Sequence, residues 1–442
     1  MKNLGMQDAA DFVLSLAQQH QCSADVIVDS GEQLSLKSEA GALSEYKVTS
    51  SQTLGVRLIK DDRIATSFTE ALDEESLRNL MAMTLESLPY MAQEPAEKID
   101  GEPTYFEANP VLCPDDHTDE ALKIDMALKL QGDIAERGAK APYNGYSNSY
   151  SQRLYVNTQG SVCHEAGRRF SCYTSALIEK GDKNAMALHF QTSRYFADLN
   201  AEHVIATAYQ KAENLLEGGP IATGKYDVIF EVGCLSELFS AFFMAFSGES
   251  ARKGVNPWRN LVGQQVASNT LTLRDLPDVK GGMAQRYWDG EGNPTQALTL
   301  IEKGQLNTLL HNTKTARALN ATANGSAARG PRGGLGVTHN HLVIDNGTQS
   351  LAEVNAGQWL EIVELQGLHS GADAISGDFS FGASGFLMQD NRIVQAVRGI
   401  TVSGNFYQML QQIVAVGDSQ ERSDDHCFFS PKVRFENLNI AG

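Results

Sequence analysis

Short apolar runs around an acidic dipeptide constrain the fold of the N-terminal region most. Over 54–59, apolar residues alternate with smaller or charged neighbours, as they do in a half-buried strand. Asp61-Asp62 then predicts a hairpin turn into a second strand over 64–69. A helix is predicted to begin after Asp73, which can cap it. Antiparallel strands followed by a helix predict an α+β layer and exclude a βαβ nucleotide-binding unit.

Further periodic segments extend this pattern of helices and antiparallel strands. Residues 25–29 and 33–37 predict two separate strands, and 150–195 predicts a set of antiparallel strands. Amphipathic patterns predict helices over 7–20 and 203–216. Another helix is predicted from apolar residues that repeat every four positions, namely Leu122, Met126, Leu130 and Ile134.

Clusters of proline and glycine indicate where the chain divides. Four prolines interrupt residues 93–115, which lack periodicity and predict a linker. The predicted fold class is α+β, with N-terminal α/β layers of antiparallel strands and a β-dominated, barrel-like C-terminal domain. The predicted divisions are an N-terminal α+β domain over 1–92, the linker over 93–115, a middle α+β segment over 116–219 that packs with the N-terminal domain, and a C-terminal β-rich domain over 222–442.

Net charge and cysteine spacing limit the classes of function. The chain of 442 residues carries a formal charge of −18, so we expect no nucleic-acid partner. The one basic motif, Arg329-Gly-Pro-Arg332, is too sparse to follow a phosphate backbone. No run approaches the roughly 18 apolar residues of a membrane helix, so no membrane partner is expected. The six cysteines form no C-x-x-C pair, which predicts a reducing, cytoplasmic setting.

A strongly apolar helix is predicted over about 234–246, directly after a strand over 226–230. Large apolar side chains surround it on nearly every side, so we expect it to be buried. Only Ser236, Glu237 and Ser240 form a narrow polar stripe. No set of side chains on this helix could hold a catalytic metal.

Two histidine motifs raise the question of a metal site elsewhere. His164-Glu165 begins like a zinc-peptidase motif, but two arginines follow and the segment is strand-like, so a surface or hairpin histidine is expected. His339 and His341 would share one face of a strand and could bind a metal, but no third ligand is apparent nearby. Polar histidines in a cleft or on an edge strand are the alternative.

Two candidate nucleophiles lie in the C-terminal half. Cys234 follows a strand-to-helix turn, where a helix N-terminus lowers a thiol pKa, but its apolar surroundings favour an inert, buried cysteine. Ser376 and Asp378 could supply two members of a hydrolytic triad, with His369 near in sequence, although such residues are common in turns. A metal-independent hydrolase therefore stays open as an alternative.

Three C-terminal stretches resemble the TldD/PmbA family of peptidase-related proteins, in particular its PmbA (TldE) branch. They span 289–317, 376–405 and 416–442, and the N-terminal strands with the helix after Asp73 fit the same family. The TldD branch carries His-Glu-x-x-x-His on the helix after the first strand of the C-terminal domain, where zinc binds. The PmbA branch lacks that motif. The resemblance implies a companion subunit of a two-chain complex that cleaves unfolded or leader peptides in the cytosol.

The zinc motif of the family can be placed on this sequence from residues 248–254, which resemble the segment after that motif. Its histidine positions fall on Phe239 and Met244, and its glutamate position on Ser240. Phenylalanine has no lone pair to donate, a thioether is a poor zinc ligand and serine is a weak general base. The resemblance implies no catalytic residue or cofactor in this chain, and zinc in a partner subunit. Cys427 is the nearest match to a cysteine that the TldD branch uses near its C-terminus.

The predicted function is that of a PmbA/TldE-type subunit of a TldD/PmbA metallopeptidase complex, acting in peptide proteolysis or maturation. The predicted partners are a TldD-type homologue in a hetero-oligomer, or a second copy in a homodimer, and an extended peptide substrate. A stand-alone homodimeric peptide-binding scaffold is a further alternative. The residues predicted to line the cleft are Glu237, Glu249, Arg252, His339 and His341.

Overall fold

Two large β-sheets organise the chain, one in each half. The computed structural model describes residues 3–442. The elements of the N-terminal half are α1 (Met6–Gln19), β1 (Ser23–Glu39), β2 (Ala42–Lys60), β3 (Arg63–Thr69), α2 (Glu74–Ser87), β4 (Tyr105–Phe106), α3 (Glu120–Glu136), β5 (Asn144–Asn157), β6 (Val162–Lys180), β7 (Lys183–Ser193) and α4 (Ala201–Leu216).

The C-terminal half begins with a strand and a helix and is dominated by strands thereafter. Its elements are β8 (Gly224–Phe230), α5 (Val232–Ala241), α6 (Gly248–Arg252), β9 (Leu273–Leu276), β10 (Leu298–Glu302), β11 (Gln305–Leu306), α7 (Thr313–Leu319), β12 (Ala327–Ala328), β13 (Gly336–Val337), β14 (His341–Ile344), α8 (Leu351–Val354), β15 (Gln358–Gln366), β16 (Asp378–Gln389), β17 (Arg392–Asn405), α9 (Phe406–Met409), β18 (Ile413–Arg422) and β19 (Phe428–Ala441).

The N-terminal sheet has seven strands in the order β3-β2-β1-β5-β6-β4, with β7 paired to β6. Its strands pair antiparallel except where the short β4 joins β6. Helices α1 and α2 pack over β1 to β3 through one apolar core, and α3 and α4 pack over β5 to β7 through another. The second core also takes in Trp359 and Phe386 of the C-terminal half, so the two halves share buried surface.

Local sequence signals position the first hairpin and α2 as predicted. Asp61 and Asp62 form the turn between β2 and β3 with φ angles of 52° and 61°. This left-handed backbone is one that aspartate tolerates better than most residues, and it matches the twist of a two-residue hairpin. The carboxylate of Asp73 accepts a hydrogen bond from the N–H of Ser76 at 3.1 Å, which caps α2.

The prediction of two separate strands over 25–29 and 33–37 was wrong. The chain instead forms one strand, β1, through Ser30-Gly31-Glu32. This stretch pairs with β2 on one side and β5 on the other, so long-range backbone pairing overrides the turn-like residues.

The apolar repeat predicted for α3 is buried only in its second half, at Leu130 and Ile134. Leu122 is 52% exposed, whereas Lys123, Ala127, Leu130 and Ile134 are the buried residues. Lys123 can be buried because its ammonium group lies 2.7 Å from the carboxylate of Asp116.

The C-terminal sheet closes on itself, which confirms the predicted β-dominated, barrel-like domain. Strand β8 pairs with β15 on one side and with β19 on the other. Strands β16 and β17 complete a ring of five between them. Strands β9, β10, β11 and β14 extend the sheet from β19, and β18 pairs with β19 as well. A large apolar core, to which α5 contributes four side chains, fills this domain.

A buried cluster of charges joins the two halves, and we call it the interface network: Asp25, Arg57, Glu97, Lys314 and Arg329. The guanidinium of Arg57 donates to Asp25 at 3.0 Å and to Glu97 at 2.8 Å. Arg329 pairs with the other oxygen of Asp25, and Lys314 lies 3.2 Å from Glu97. All five are buried, and each has an oppositely charged partner within the network. The network ties β1 and β2 to the C-terminal half.

Residues 93–115 cross between the two halves and contact both. Glu94 accepts a hydrogen bond from Arg252 at 2.9 Å, and Asp100 accepts one from Arg317 at 2.8 Å. With Glu97 in the interface network, three carboxylates of this segment therefore pair with cations of the C-terminal half.

Candidate functional site

Helix α5 follows β8 directly and carries the polar stripe predicted from the sequence. The predicted boundaries of 234–246 were wrong, since α5 spans Val232–Ala241 and a short 3-10 helix spans Phe243–Phe246. Between them Phe242 leaves the α conformation, with a φ of −103°, and its ring stacks on that of Phe406 at 4.5 Å. Ser236 is half-buried, while Glu237 and Ser240 are exposed, so the stripe faces away from the core.

The three positions matched to the zinc motif of the family do not fit a zinc ion. Phe239 is 1% exposed, and its ring centroid lies 5.4 Å from that of Phe406 and 5.5 Å from that of Phe428. It fills apolar space and offers no lone pair. Ser240 points out of the core, and Met244 lies beyond the end of α5 in the 3-10 helix. Within residues 3–442, no three His, Cys, Asp or Glu side chains are grouped so that they could hold a metal.

A cleft lies beside α5, between β7 and the C-terminal domain, and it consists of two neighbouring pockets. The first, of about 320 Å³, is lined by Leu188 and Phe190 of β7, the start of α5, part of β15 and residues 422–425. The second, of about 310 Å³, is lined by residues 191–195 and 281–283 and by His426. Arg422 lines both pockets and β7 passes from one to the other, so the two pockets adjoin.

The first pocket carries an excess of negative charge, and we call it the acidic pocket. Its cations are Lys211 and Arg422, and Lys211 is engaged by Glu231 at 2.9 Å. Burial, then Glu364 and Glu231, raise the pKa of Glu237, because these surroundings disfavour another negative charge. Its five carboxylates belong to Glu231, Glu237, Glu364, Asp424 and Asp425.

The second pocket has the opposite character, and we call it the basic pocket. It contains Arg194 and Arg422 with one carboxylate, that of Asp198. Arg194 donates to the carbonyl of Leu112 at 3.2 Å and to the side-chain carbonyl of Gln285 at 3.1 Å, both of which are neutral. Burial, followed by the charge of nearby Arg169, lowers the pKa of Arg194. Among the described residues the guanidinium therefore has neutral hydrogen-bond acceptors but forms no ion pair, although the carboxylate of Glu165 lies near enough to act on its pKa.

Strand β7 forms one wall of both pockets. Among the described strands it pairs with β6 alone, so its other edge carries backbone N–H and C=O groups without a neighbouring strand. The loop after β18 reaches this strand, where Oδ2 of Asp424 lies 2.9 Å from Nδ1 of His189. The cleft thus combines apolar side chains of an edge strand with charges of both signs.

Of the five residues predicted to line the cleft, the structure places only Glu237 in it. Glu249 pairs with Arg252 at 3.0 Å, and Arg252 pairs with Glu94, so both belong to the contact with residues 93–115. Burial is the largest single influence on the pKa of Glu249 and would raise it, but the hydrogen bonds of Arg252 and the charge of Lys314 outweigh burial and lower that pKa. Glu249 and Arg252 hold the chain together rather than lining a pocket.

His339 and His341 are not arranged as a pair of metal ligands. Only His341 belongs to β14, and His339 precedes the strand, so the two do not share a strand face as predicted. Nδ1 of His341 lies 2.9 Å from the carbonyl of Leu276, and its Nε2 accepts from the N–H of Ala284 at 2.9 Å. Both ring nitrogens of His341 are therefore engaged by backbone, and burial lowers the pKa of each histidine.

The candidate nucleophiles are placed in unreactive surroundings. Cys234 lines the acidic pocket, but burial, then Glu231 and Glu237, raise its pKa well above the ordinary value. Burial raises the pKa of Cys427 to about 11. The hydroxyl of Ser376 accepts the N–H of Asp378 in a turn, a local contact that does not involve His369.

The remaining sequence motifs have structural contacts. His164-Glu165 lies within β6, where the spacing of a helical zinc motif has no meaning. Arg329 pairs with Asp25 in the interface network, and Arg332 pairs with Glu70. Both cations of the basic motif are therefore neutralised. No helix among residues 3–442 has the length and apolar character needed to cross a membrane.

The sequence analysis missed Arg194, Arg422, Glu364 and Asp424. These residues lie on separate strands and loops that meet only through the packing of β7 against the C-terminal domain. No local spacing connects them. The one available signal was the polar stripe of α5, which pointed to Glu237 and to the adjoining pocket.

Comparison with known proteins places this architecture in a family. Three models of PmbA/TldA metallopeptidase domains match the chain: domain 1 over residues 24–87, the central domain over 113–216 and the C-terminal domain over 223–442. Metalloprotease PmbA of Escherichia coli O157:H7 is 25% identical over 450 residues, covering 99% of this chain and 96% of that protein.

Two solved structures share the fold over nearly the whole chain. A proposed DNA gyrase modulator from Thermotoga maritima superposes with a TM-score of 0.88 at 25% identity. The match covers 99% of this chain and 100% of that one. TldE from Thermococcus kodakarensis superposes with a TM-score of 0.87 at 22% identity, covering 98% of this chain and 100% of that one.

The fold and the matched domains thus define a protein of the metallopeptidase class. The chain belongs to the TldD/PmbA metallopeptidase family, and within it to the PmbA branch. These relationships support a role within a peptidase family.

Proposed function

We propose that this chain is the PmbA/TldE-type subunit of a TldD/PmbA metallopeptidase complex, in which a partner supplies the zinc and this chain supplies peptide-binding surface. The observation that carries the proposal is Phe239. Its ring is buried and packed against Phe406 and Phe428, and the family resemblance matches its position to a histidine of the zinc-binding branch. Replacing this buried ring with a metal ligand would remove packing from the apolar core.

The cleft beside α5 supports a role in peptide binding. The free edge of β7 can pair with an extended backbone, which gives affinity without regard to sequence. Leu188, Phe190, Val363 and Leu365 provide apolar contacts for side chains of such a peptide. No nucleic-acid substrate is proposed, because the charge of −18 repels phosphate.

A TldD-type homologue is the proposed partner. Proteins named TldD are among the relatives of this chain, so the family contains chains that could complete the complex. All six cysteines are free thiols, in keeping with the predicted cytoplasmic location. A homodimer that binds peptides without cleaving them is the arrangement expected if the same genome encodes no homologue with an intact His-Glu-x-x-x-His.

Mixing experiments test the proposal. The purified chain is combined with the zinc-bearing homologue from the same cell, and hydrolysis of an unfolded peptide is measured for each chain alone and for the mixture. We expect hydrolysis by the mixture to exceed the sum of the separate chains and to disappear with a zinc chelator. Hydrolysis by this chain alone at the rate of the mixture would contradict the proposal, as would a mixture no more active than the homologue.

A matched pair of variants links that activity to the cleft. Val363→Asp places a charge on the apolar wall of the acidic pocket, whereas Val394→Asp changes an exposed valine of β17 outside it. We expect the first variant to raise the KM of the mixture and the second to leave it unchanged. Equal effects of the two substitutions on the KM would contradict a role of the cleft in peptide binding.

A further inference from the structure

The two pockets of the cleft carry unbalanced charges of opposite sign. Glu237 and Glu364 form no ion pair among the described residues, and neither do Arg194 and Arg422. In the interface network, by contrast, the charges of the chain offset one another. Charges that a fold leaves unpaired in a cleft are available to a ligand.

The acidic pocket favours a cation. The first turn of α5 opens on this pocket and would attract an anion, but Glu231 stands at its N-cap and is held by Lys211. The partial charge of a helix end is about half an elementary charge, which does not offset the other carboxylates. Burial first, and then Glu364 and Glu231, raise the pKa of Glu237, and an ammonium group would offset the part that comes from these carboxylates.

The basic pocket favours an anion. Arg194 is partly buried with only neutral acceptors, and the exposed Arg422 stands at the junction with the acidic pocket. Asp198 is the one carboxylate of the lining, and it already accepts the hydroxyl of Ser193 at 2.7 Å. A carboxylate placed between two guanidinium groups would receive hydrogen bonds of the charge-assisted kind.

The spacing of the two pockets suits a short extended chain. Leu188 marks the acidic end of the β7 wall and Ser193 lies at the basic end. At about 3.3 Å for each residue, this stretch is about 17 Å long, the length of five or six residues of an extended peptide. A peptide of that length carries an ammonium and a carboxylate at its ends whatever its sequence.

We propose that the cleft binds oligopeptides of about five or six residues by their free ends, with the N-terminal ammonium in the acidic pocket and the C-terminal carboxylate in the basic pocket. The peptide would run parallel to β7, since this strand passes from the acidic to the basic pocket. The inference rests on the proposed peptide-binding function and adds to it a class of ligand and a direction of binding.

Blocked peptides provide the test. A hexapeptide of alternating alanine and valine is titrated into the full-length chain in four forms: free, N-acetylated, C-amidated and blocked at both ends. Because each block removes one charge-assisted contact, we expect each to raise the Kd about tenfold. Calorimetry gives the four Kd values directly.

Variants then assign each end to its pocket. Glu237→Gln should remove most of the penalty of N-acetylation and keep that of C-amidation, and Arg422→Gln should do the reverse. Both side chains are exposed, so folding is expected to be retained. Glu86→Gln and Arg392→Gln, which change exposed charges outside the cleft, are the matched controls and should keep both penalties.

The outcomes separate this inference from the proposed function. Equal Kd values for all four peptides would overturn recognition of the ends while peptide binding itself stands. If Glu237→Gln instead removed the penalty of C-amidation and Arg422→Gln that of N-acetylation, the peptide would bind in the opposite direction and the inference would be overturned. Failure of every form to bind would overturn both the inference and the peptide-binding role.

Discussion

The interface network and the cleft use similar side chains in opposite ways. In the network, Arg57 is 1% exposed and reaches carboxylates from two segments. Burial alone would lower the pKa of Arg57, but Asp25, Glu291 and Glu97 outweigh it and raise that pKa. In the cleft, Arg194 is left with neutral acceptors, and its pKa is lowered.

This difference separates charges that hold the chain together from charges for which we propose a ligand as the partner. A buried ion that lost its partner would bear the full cost of its desolvation. Removing one member of the network should therefore destabilise the folded state strongly. The cleft charges are partly hydrated and tolerate being unpaired. Substitutions in the two regions should therefore have different effects on stability.

The largest effect is expected in the interface network. Arg57→Met should lower the free energy of unfolding by about 3–5 kcal/mol, because Asp25 and Glu97 would each lose a buried partner. Arg422→Met, the same substitution in the cleft, should change it by no more than about 0.5 kcal/mol. Urea denaturation of the two variants measures both values. If the two losses were equal, the distinction between the regions would fail.

An intermediate effect is expected at Asp275, which is buried like the network but forms no ion pair among residues 3–442. It accepts the backbone N–H of Asn340 at 2.7 Å, and burial raises its pKa from 3.8 to about 7. Because the folded-state pKa is the higher one, the folded protein binds the extra proton, and stability decreases as pH rises through about 4 to 7.

Asp275→Asn removes that titration. The slope of the unfolding free energy against pH between about 5 and 7 should become more positive, by up to about 1.4 kcal/mol per pH unit. Denaturation curves at several pH values, compared with those of the unchanged chain, give the two slopes. Identical slopes would show that Asp275 does not titrate in this range.

The smallest effect on stability is expected in the acidic pocket. Glu237→Gln should stabilise the fold at neutral pH, because it removes a carboxylate whose charged form the surroundings disfavour. The gain should be only about a few tenths of a kcal/mol, since water screens the exposed side chain. Since the pKa of Glu237 is raised, the advantage should shrink as the pH falls and the glutamate becomes protonated. Thermal unfolding at neutral and acidic pH checks the sign, and a loss of stability at neutral pH would contradict it.

The sequence predicted those parts of the fold that depend on local signals. The acidic turn Asp61-Asp62 and the cap Asp73 act within a few residues, so both could be identified before the structure. The continuity of β1 depends on two neighbouring strands, and the buried face of α3 depends on the ion pair between Lys123 and Asp116. Neither dependence is visible in a local pattern.

The site was less predictable because its members are far apart in the sequence. Asp25 and Arg329 pair across 304 positions, and the cleft joins β7 to loops of the other half in the same way. The family resemblance provided the position of Phe239, which spacing alone could not. Glu249 and Arg252, predicted for the cleft, proved to pair with each other and with residues 93–115 instead.

The zinc content of the purified chain tests the central claim most directly. The full-length chain is prepared without chelators, dialysed against zinc at a low concentration and examined by elemental analysis beside the zinc-bearing homologue treated in the same way. Because Phe239, Ser240 and Met244 offer no adequate donors, we expect zinc in the homologue and no stoichiometric zinc in this chain. One tightly held zinc ion per chain would contradict the account.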